Sequence, residues 1–218
     1  YECSGGLHGV GASVVNALSR WLVVDVFRDF SHYQMRFASV EDPKARKIHS
    51  GQPQGALQKV GNTRRRGTLV TFLPDERVFE EVVFGGEIVR RRIRELAYLN
   101  RGISFKFTDE RVKDVEQRTR EYRYDGGLKD FARYLTSDKN PVGEPILFEG
   151  RREGVFLRAA IQYTDSYTEN IFSFVNNIPT AEGGTHETGF KAALTKAFND
   201  YARRIGALKE KDNNLSGD

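Results

Sequence analysis

Ser4-Gly5-Gly6-Leu7-His8-Gly9-Val10-Gly11 runs directly into Ala12-Ser13-Val14-Val15-Asn16-Ala17-Leu18. Val14, Ala17 and Leu18 fall at helical spacing, so a glycine-rich loop feeds a helix N-terminus. Glycines let a backbone approach an anion, and the positive end of a helix dipole stands behind the free N–H groups of a first turn. The same glycines also suit a tight structural turn that binds nothing, and glycine spacing alone leaves both readings open. Two sharper readings fail. A dinucleotide fingerprint needs a third glycine or alanine where Val14 stands after Gly9-x-Gly11. A Walker A loop over Gly6 to Ser13 has Ala12 where its lysine belongs.

Outward from the loop, Trp21 to Phe27 reads as a buried strand, with Tyr33 to Phe37 as its hairpin partner across the turn-like Asp29-Phe30-Ser31. Ser39 to Gln54 holds Pro43, Gly51 and Pro53 among charges, which predicts a long exposed connection. Thr63-Arg64-Arg65-Arg66 reads as a basic hairpin loop able to steer a polyanion, and Gly67 to Leu73 as a strand stopped by Pro74-Asp75. From Gly86, an apolar stripe of Val89, Ile93, Leu96 and Leu99 predicts an amphipathic helix whose Arg90-Arg91-Arg92 run is read first as its solvated face and second as a contact to nucleic-acid phosphate. Ile103 to Phe107 alternates as a strand. Asp109 to Arg120 is charge-dense and predicts a hairpin loop ahead of Tyr122-Arg123-Tyr124.

Asp125-Gly126-Gly127 breaks the pattern, Leu128 to Leu135 returns to helical spacing, and Asn140-Pro141-Val142-Gly143 breaks it again. A domain boundary is expected there, dividing residues 1–126 from 127–218. In the second part, Ile146-Leu147-Phe148 and Val155 to Tyr163 read as a strand pair and Asn170 to Asn176 as a third strand. Gly183-Gly184 then turns into a long helix with Thr185 as N-cap and Phe190, Leu194, Ala197, Phe198 and Tyr201 as its apolar side. The tail from Lys209 is polar and offers no closing element.

Composition sets outer limits. The 218 residues carry 34 Lys+Arg against 30 Asp+Glu, 39% hydrophobic and 11% aromatic residues, which excludes disorder as the main state. Cys3 is the one cysteine and has no partner for an internal disulfide. No run reaches the roughly 18 apolar residues of a membrane helix, and Tyr1 to Gly6 has no signal-peptide character, so a cytoplasmic setting without membrane contact is expected. The pI of about 9.1 suits nucleic acid, yet the net charge of +4 is spread along the chain. His186-Glu187 opens an H-E-x-x-H pattern that Phe190 breaks, and His8, His32, His49 and Cys3 lack ligand spacing, so no metal site is read. Asn214-Leu215-Ser216 matches a glycosylation sequon by chance.

Taken in order, Tyr1, Ser4 to Ser19, Gly67-Thr68, Arg94 to Gly102, Tyr124 to Gly127, Asn176-Asn177-Ile178 and Gly183 to Phe190 resemble the N-terminal part of the B subunit of DNA gyrase, the ATPase subunit of the type IIA topoisomerases. The resemblance implies an α/β (α+β) fold: the C-terminal part of a GHKL-type ATPase α/β sandwich with a mixed sheet, followed by a transducer domain resembling ribosomal protein S5 domain 2. It implies ATP and Mg2+ as cofactors, with Gly6, Leu7, His8, Gly9, Val10 and Gly11 around the ATP phosphates and Tyr1 and Thr68 in the adenine pocket. Arg28 falls at the pocket mouth, where aminocoumarin inhibitors bind. The family's general base, magnesium-holding asparagine and adenine-reading aspartate fall before Tyr1, and its γ-phosphate lysine after Asp218. The chain alone is therefore expected to be inactive. Departures are Glu2-Cys3, where lysine and an aliphatic residue are usual, and the connection over residues 41–54.

The implied function is ATP-driven strand passage by a type II DNA topoisomerase. ATP closes a self-dimer gate in an A2B2 assembly with the gyrase A subunit, giving negative supercoiling. The alternatives are the B subunit of topoisomerase IV, which decatenates, and, from another class, a non-catalytic nucleic-acid binding or scaffold module. Arg203, Arg204, Lys209 and Lys211 are candidates for a DNA groove between transducer domains, against a reading as a solvated helix face and mobile tail.

Overall fold

The computed structural model describes residues 9–45 and 47–217. The chain divides at Asp125/Gly126 into two compact units.

In the first unit, α1 (Gly11–Ala17) leads into β1 (Ser19–Arg28), and the Ser19 hydroxyl closes the junction by donating to the Val15 carbonyl at 2.6 Å. β2 (Ser31–Asp42) returns antiparallel, with Val24 opposite Met35 and Phe27 opposite His32. β3 (Lys47–Pro53) and β4 (Gln58–Asn62) both pair along the outer side of β2, and β5 (Gly67–Pro74) pairs with β1, for a path β3-β2-β1-β5. Where the resemblance implies a mixed sheet, every described pairing is antiparallel. Residues opposite in register share a face. One face therefore carries Leu22, Val24 and Val26 with Tyr33, Met35, Phe37, Thr68, Val70 and Phe72, while the other sets Asp25 among His32, Gln34 and Arg36.

The expected long connection over 39–54 is instead a second hairpin, with Ala38 opposite Gln52 and Asp42 opposite Lys47. β3 lies at the sheet edge with most of its residues exposed, so it shows no in–out alternation to read, and its Pro53 is tolerated there. The 63–66 segment is not a hairpin loop either. It carries the chain from β4, beside β2, to β5, beside β1. Asp75, 1% exposed, locks the far end: its carboxylate takes Arg77 Nε at 2.8 Å and Nη2 at 2.6 Å, its N–H donates to the Leu18 carbonyl at 3.0 Å, and Arg77 reaches the Ser39 carbonyl at 3.3 Å.

α2 (Gly86–Leu99) packs on the hairpin of β6 (Phe105–Thr108) and β7 (Thr119–Tyr122). Ala97 and Tyr98 are its buried residues, and Tyr98 stacks on Tyr124 at 3.7 Å between centroids. The 109–120 segment is more than a loop. It contains α3 (Val115–Arg118), capped by the Asp114 carboxylate accepting from the Glu116 N–H at 3.0 Å, and β7 begins at Thr119.

In the second unit, α4 (Leu128–Leu135) lies against β8 (Pro141–Arg152) and β9 (Val155–Thr164). Phe131 is buried, with Phe172 at 6.1 Å and Phe174 at 6.4 Å. The expected third strand shrinks to a two-residue ladder, β10 (Phe174–Val175) with β11 (Ile178–Pro179), turned by Asn176 and Asn177 at φ 49° and 66°. Those left-handed angles suit asparagine and form a tight turn that ends the pairing. α5 (Thr185–Arg204) starts after Gly184 at φ 155°. Thr185 is already helical and no side chain caps the turn, which corrects the expected cap. Phe198 and Tyr201, expected on a covered apolar side, are 45% and 51% exposed. The buried residue of α5 is Asn199, which together with Arg203 holds the tail against the helix. The tail is therefore closed down by side chains on α5 rather than free.

Candidate functional site

Gly9 has φ +64°, a left-handed conformation open to glycine, and no heavy atom lies within 4 Å of the place its Cβ would take. The first backbone hydrogen bond of α1 runs from the Val14 N–H to the Val10 carbonyl at 2.9 Å, so the N–H groups of Gly11, Ala12 and Ser13 have no intrahelical acceptor. Val10 makes no side-chain cap, and no carboxylate stands in the first turn. These residues are exposed. Open N–H groups, a positive dipole end and an approachable backbone suit an anion such as phosphate. Tyr1, Gly6, Leu7 and His8 lie outside the described residues.

Thr68 lies at the start of β5 opposite Val26, on the apolar face of the sheet. Arg28 ends β1, with its side chain 76% exposed and its Nε 3.1 Å from Asp29 Oδ2. α1 joins β1 at the opposite end. Nine steps of about 3.3 Å along β1, less the reach of a seven-residue helix and its link, keep Arg28 on the order of 15 Å or more from Gly11. Arg28 and Thr68 are thus grouped at one end of the sheet, and the glycine loop stands apart from Arg28.

A polar cluster escaped the sequence reading. Asp25, 8% exposed, holds Oδ1 2.6 Å from His32 Nε2 and 2.7 Å from Gln34 Nε2. Hydrogen bonds from Gln34 and then His32 keep its carboxyl below the ordinary aspartate range. The available signal was an aspartate inside an apolar strand, but it becomes interpretable only once register places His32 and Gln34 on the same face. Among the described residues, no group of three or more His, Cys, Asp or Glu is arranged to hold a metal, and no helix is long and apolar enough to cross a membrane.

The basic candidates separate. Arg90 pairs with Glu87, and Arg92 with Glu95 at 2.7 Å, as a solvated helix face does. Arg203 is committed to the tail: Nη1 donates to the Lys209 carbonyl at 2.6 Å, and Nη2 to the Asp212 carbonyl at 3.0 Å and Asn214 Oδ1 at 2.8 Å. The Arg204 guanidinium lies 5.1 Å from the Tyr201 ring.

The fold described is that of gyrase B ATPase fragments. The 43K ATPase domain of Thermus thermophilus gyrase B, solved in complex with an aminocoumarin, superposes with a TM-score of 0.76 at 36% identity, over 96% of this chain and 54% of that one. The B-subunit of the DNA gyrase from Myxococcus xanthus gives 0.72 at 26% identity, over 85% of this chain and 51% of that one. Residues 127–218 match the family model described as DNA gyrase B. The whole chain is 48% identical to the B subunit of DNA topoisomerase 4 of Enterococcus faecalis, covering 30% of it, and 46% identical to the B subunit of DNA gyrase of Halalkalibacterium halodurans, covering 32% of it. Over its entire length the chain is similar to the B subunits of DNA gyrase and topoisomerase IV, and it spans about a third of the length of those curated proteins.

Proposed function

We propose that this chain is the ATP-binding and transducing part of the B subunit of an ATP-dependent type II DNA topoisomerase, with residues 1–126 as a partial ATPase domain and 127–218 as a partial transducer. Its full-length similarity to such B subunits carries the reading. The open Gly9 to Ser13 backbone fits the phosphates of ATP, which supplies the phosphoryl bond whose hydrolysis drives the cycle. In this reading, Gly6 to Gly11 wrap the phosphates, Tyr1 and Thr68 border the adenine, and Arg28 stands at the inhibitor-binding mouth. Gly9, Val10 and Gly11 bind and orient through backbone N–H groups. Thr68 offers a hydroxyl from the apolar face of the sheet, where water is displaced by the base. Mg2+ accompanies the nucleotide, but the described residues supply no cage for it.

The partners in this reading are DNA, the A subunit in an A2B2 assembly and a second copy of the B subunit on ATP binding, in the cytoplasm. Negative supercoiling by gyrase is the main reading. Decatenation by topoisomerase IV is the second, favoured by the 48% identity to the Enterococcus protein. The full-length protein carrying this sequence, mixed with its A subunit, relaxed plasmid and interlinked circles, decides: ATP-dependent supercoils indicate gyrase and separated circles topoisomerase IV. No ATP-dependent change in either would refute the enzyme reading and leave the nucleic-acid binding or scaffold module.

A further inference from the structure

At the tip of the β1–β2 hairpin, Asp29 and Phe30 both take left-handed φ angles, 50° and 57°, which a bulky side chain rarely adopts. Phe30 is nevertheless 78% exposed. The Thr63 N–H donates to the Phe30 carbonyl at 3.0 Å, and Asn62 stands opposite Ser31, so the 63–66 segment lies against this tip. Arg28, Arg64, Arg65 and Arg66 therefore share one end of the sheet with an exposed phenyl ring. Arg65 is braced there: its guanidinium lies 5.4 Å from the Phe27 ring, which packs on His32 at 4.6 Å, whose Nε2 is held by Asp25. Arg64 and Arg66 are exposed and have no hydrogen-bond or ion-pair partner among the described residues. In the tip and the 62–66 segment Asp29 is the sole carboxylate. Its contact with Arg28 is so exposed, 76% and 81% for the two side chains, that it leaves that arginine available.

We infer that this end of the sheet contacts the DNA backbone, with guanidinium groups on successive phosphates and Phe30 against a sugar or base edge. Four arginines facing one carboxylate suit a polyanion. One phenyl ring is too little apolar surface for the core of a protein interface, whereas DNA interfaces are polar and strongly positive. Thr68 and Arg28, read above as bordering the nucleotide, stand at this same end of the sheet, so the contact is assigned to Arg64, Arg65, Arg66 and Phe30. The inference rests on the proposed function only in taking DNA as the macromolecular substrate.

The test measures the affinity of the full-length protein for a linear duplex between 50 and 200 mM salt, without nucleotide. Arg64→Gln/Arg65→Gln/Arg66→Gln is expected to lower the slope of log affinity against log salt by roughly 2 to 3, at about 0.9 per lost phosphate contact, while the matching lysine variant keeps the slope. Phe30→Ala is expected to weaken binding several-fold at unchanged slope. Basal ATP hydrolysis and melting midpoint should match wild type. If the triple variant melts early, Arg64→Gln alone is read, with a slope loss near 0.9. Wild-type binding with an unaltered slope in the glutamine variants overturns this inference alone, and a wild-type protein that binds no DNA overturns the proposed function as well. Unchanged DNA binding with lost retention of polyglutamate assigns the patch to an acidic protein and also overturns the inference.

Discussion

Asn199 and Leu215 are joined by two hydrogen bonds: Asn199 Nδ2 donates to the Leu215 carbonyl at 3.1 Å, and the Leu215 N–H donates to Asn199 Oδ1 at 2.7 Å. The carboxamide thus engages the tail backbone as a neighbouring strand would, and Nδ2 also meets the Thr195 carbonyl at 2.9 Å. Asn199→Ala should cost about 1–3 kcal/mol, because it leaves partly buried backbone groups unpaired. The readout is amide exchange at Leu215, which should become fast while that of β8 and β9 stays slow. Asn199→Asp should be worse than alanine, since a carboxylate keeps the acceptor but sets negative charge against two carbonyl oxygens. Protection at Leu215 surviving in both variants would show that Arg203 alone holds the tail.

Asp75 and Arg77 tie β5 to the α1–β1 junction and to β2. Asp75→Ala removes the carboxylate from a site 1% exposed and leaves the guanidinium only its longer contacts to Ser39 and Glu41, a loss of about 2–4 kcal/mol. Thermal unfolding followed by circular dichroism measures it. A midpoint within a degree of wild type would show the lock to be idle.

Acid should destabilise the first unit through its lowered aspartates, three of them held down by side-chain partners. Hydrogen bonds from Arg77 lower Asp75, those from Gln34 and His32 lower Asp25, and the Arg111 pair holds Asp109 down at about 2. A carboxyl titrating lower in the folded state than in the unfolded one contributes stability that is complete above the unfolded value, near 3.8, and is lost as pH falls through the folded value. Denaturant midpoints should therefore be flat from neutral pH to about 5 and fall between about 4 and 2. Asp109→Asn should flatten that fall at a lower plateau. An acid limb as steep as wild type in this variant would remove Asp109 from the account.

Gly9→Val forces a β-branched residue to φ +64° and adds bulk to a loop whose backbone must stay approachable. Calorimetric titration of the full-length protein with a non-hydrolysable ATP analogue should show binding lost. The melting midpoint should fall as well, because a β-branched residue is strained at this φ even with no atom within 4 Å of its Cβ, so the titration is run well below that midpoint. Wild-type affinity would sink the phosphate-cradle assignment.

The sequence by itself determined the elements whose apolar residues keep a regular pattern. Val14 and Ala17 on α1, the apolar run of β1, the alternation of β5, the stripe of α2 and the Leu128–Leu135 helix were all legible, even where, as in β5, the residues stay largely exposed. The glycine loop and the order of the motifs likewise pointed to the relatives found. Tertiary structure alone decided the rest. β3 has no buried face to leave a period, and Thr63 meets Phe30, and Arg65 the Phe27 ring, only because β4 and β5 lie on opposite sides of the hairpin. Asp25 finds its partners through strand register. Arg203, a candidate DNA contact in the sequence, is taken up by three acceptors in the tail. Hydrogen-bond partners distant along the chain leave no local pattern, since their pairing depends on where the backbone returns rather than on which residues stand beside them.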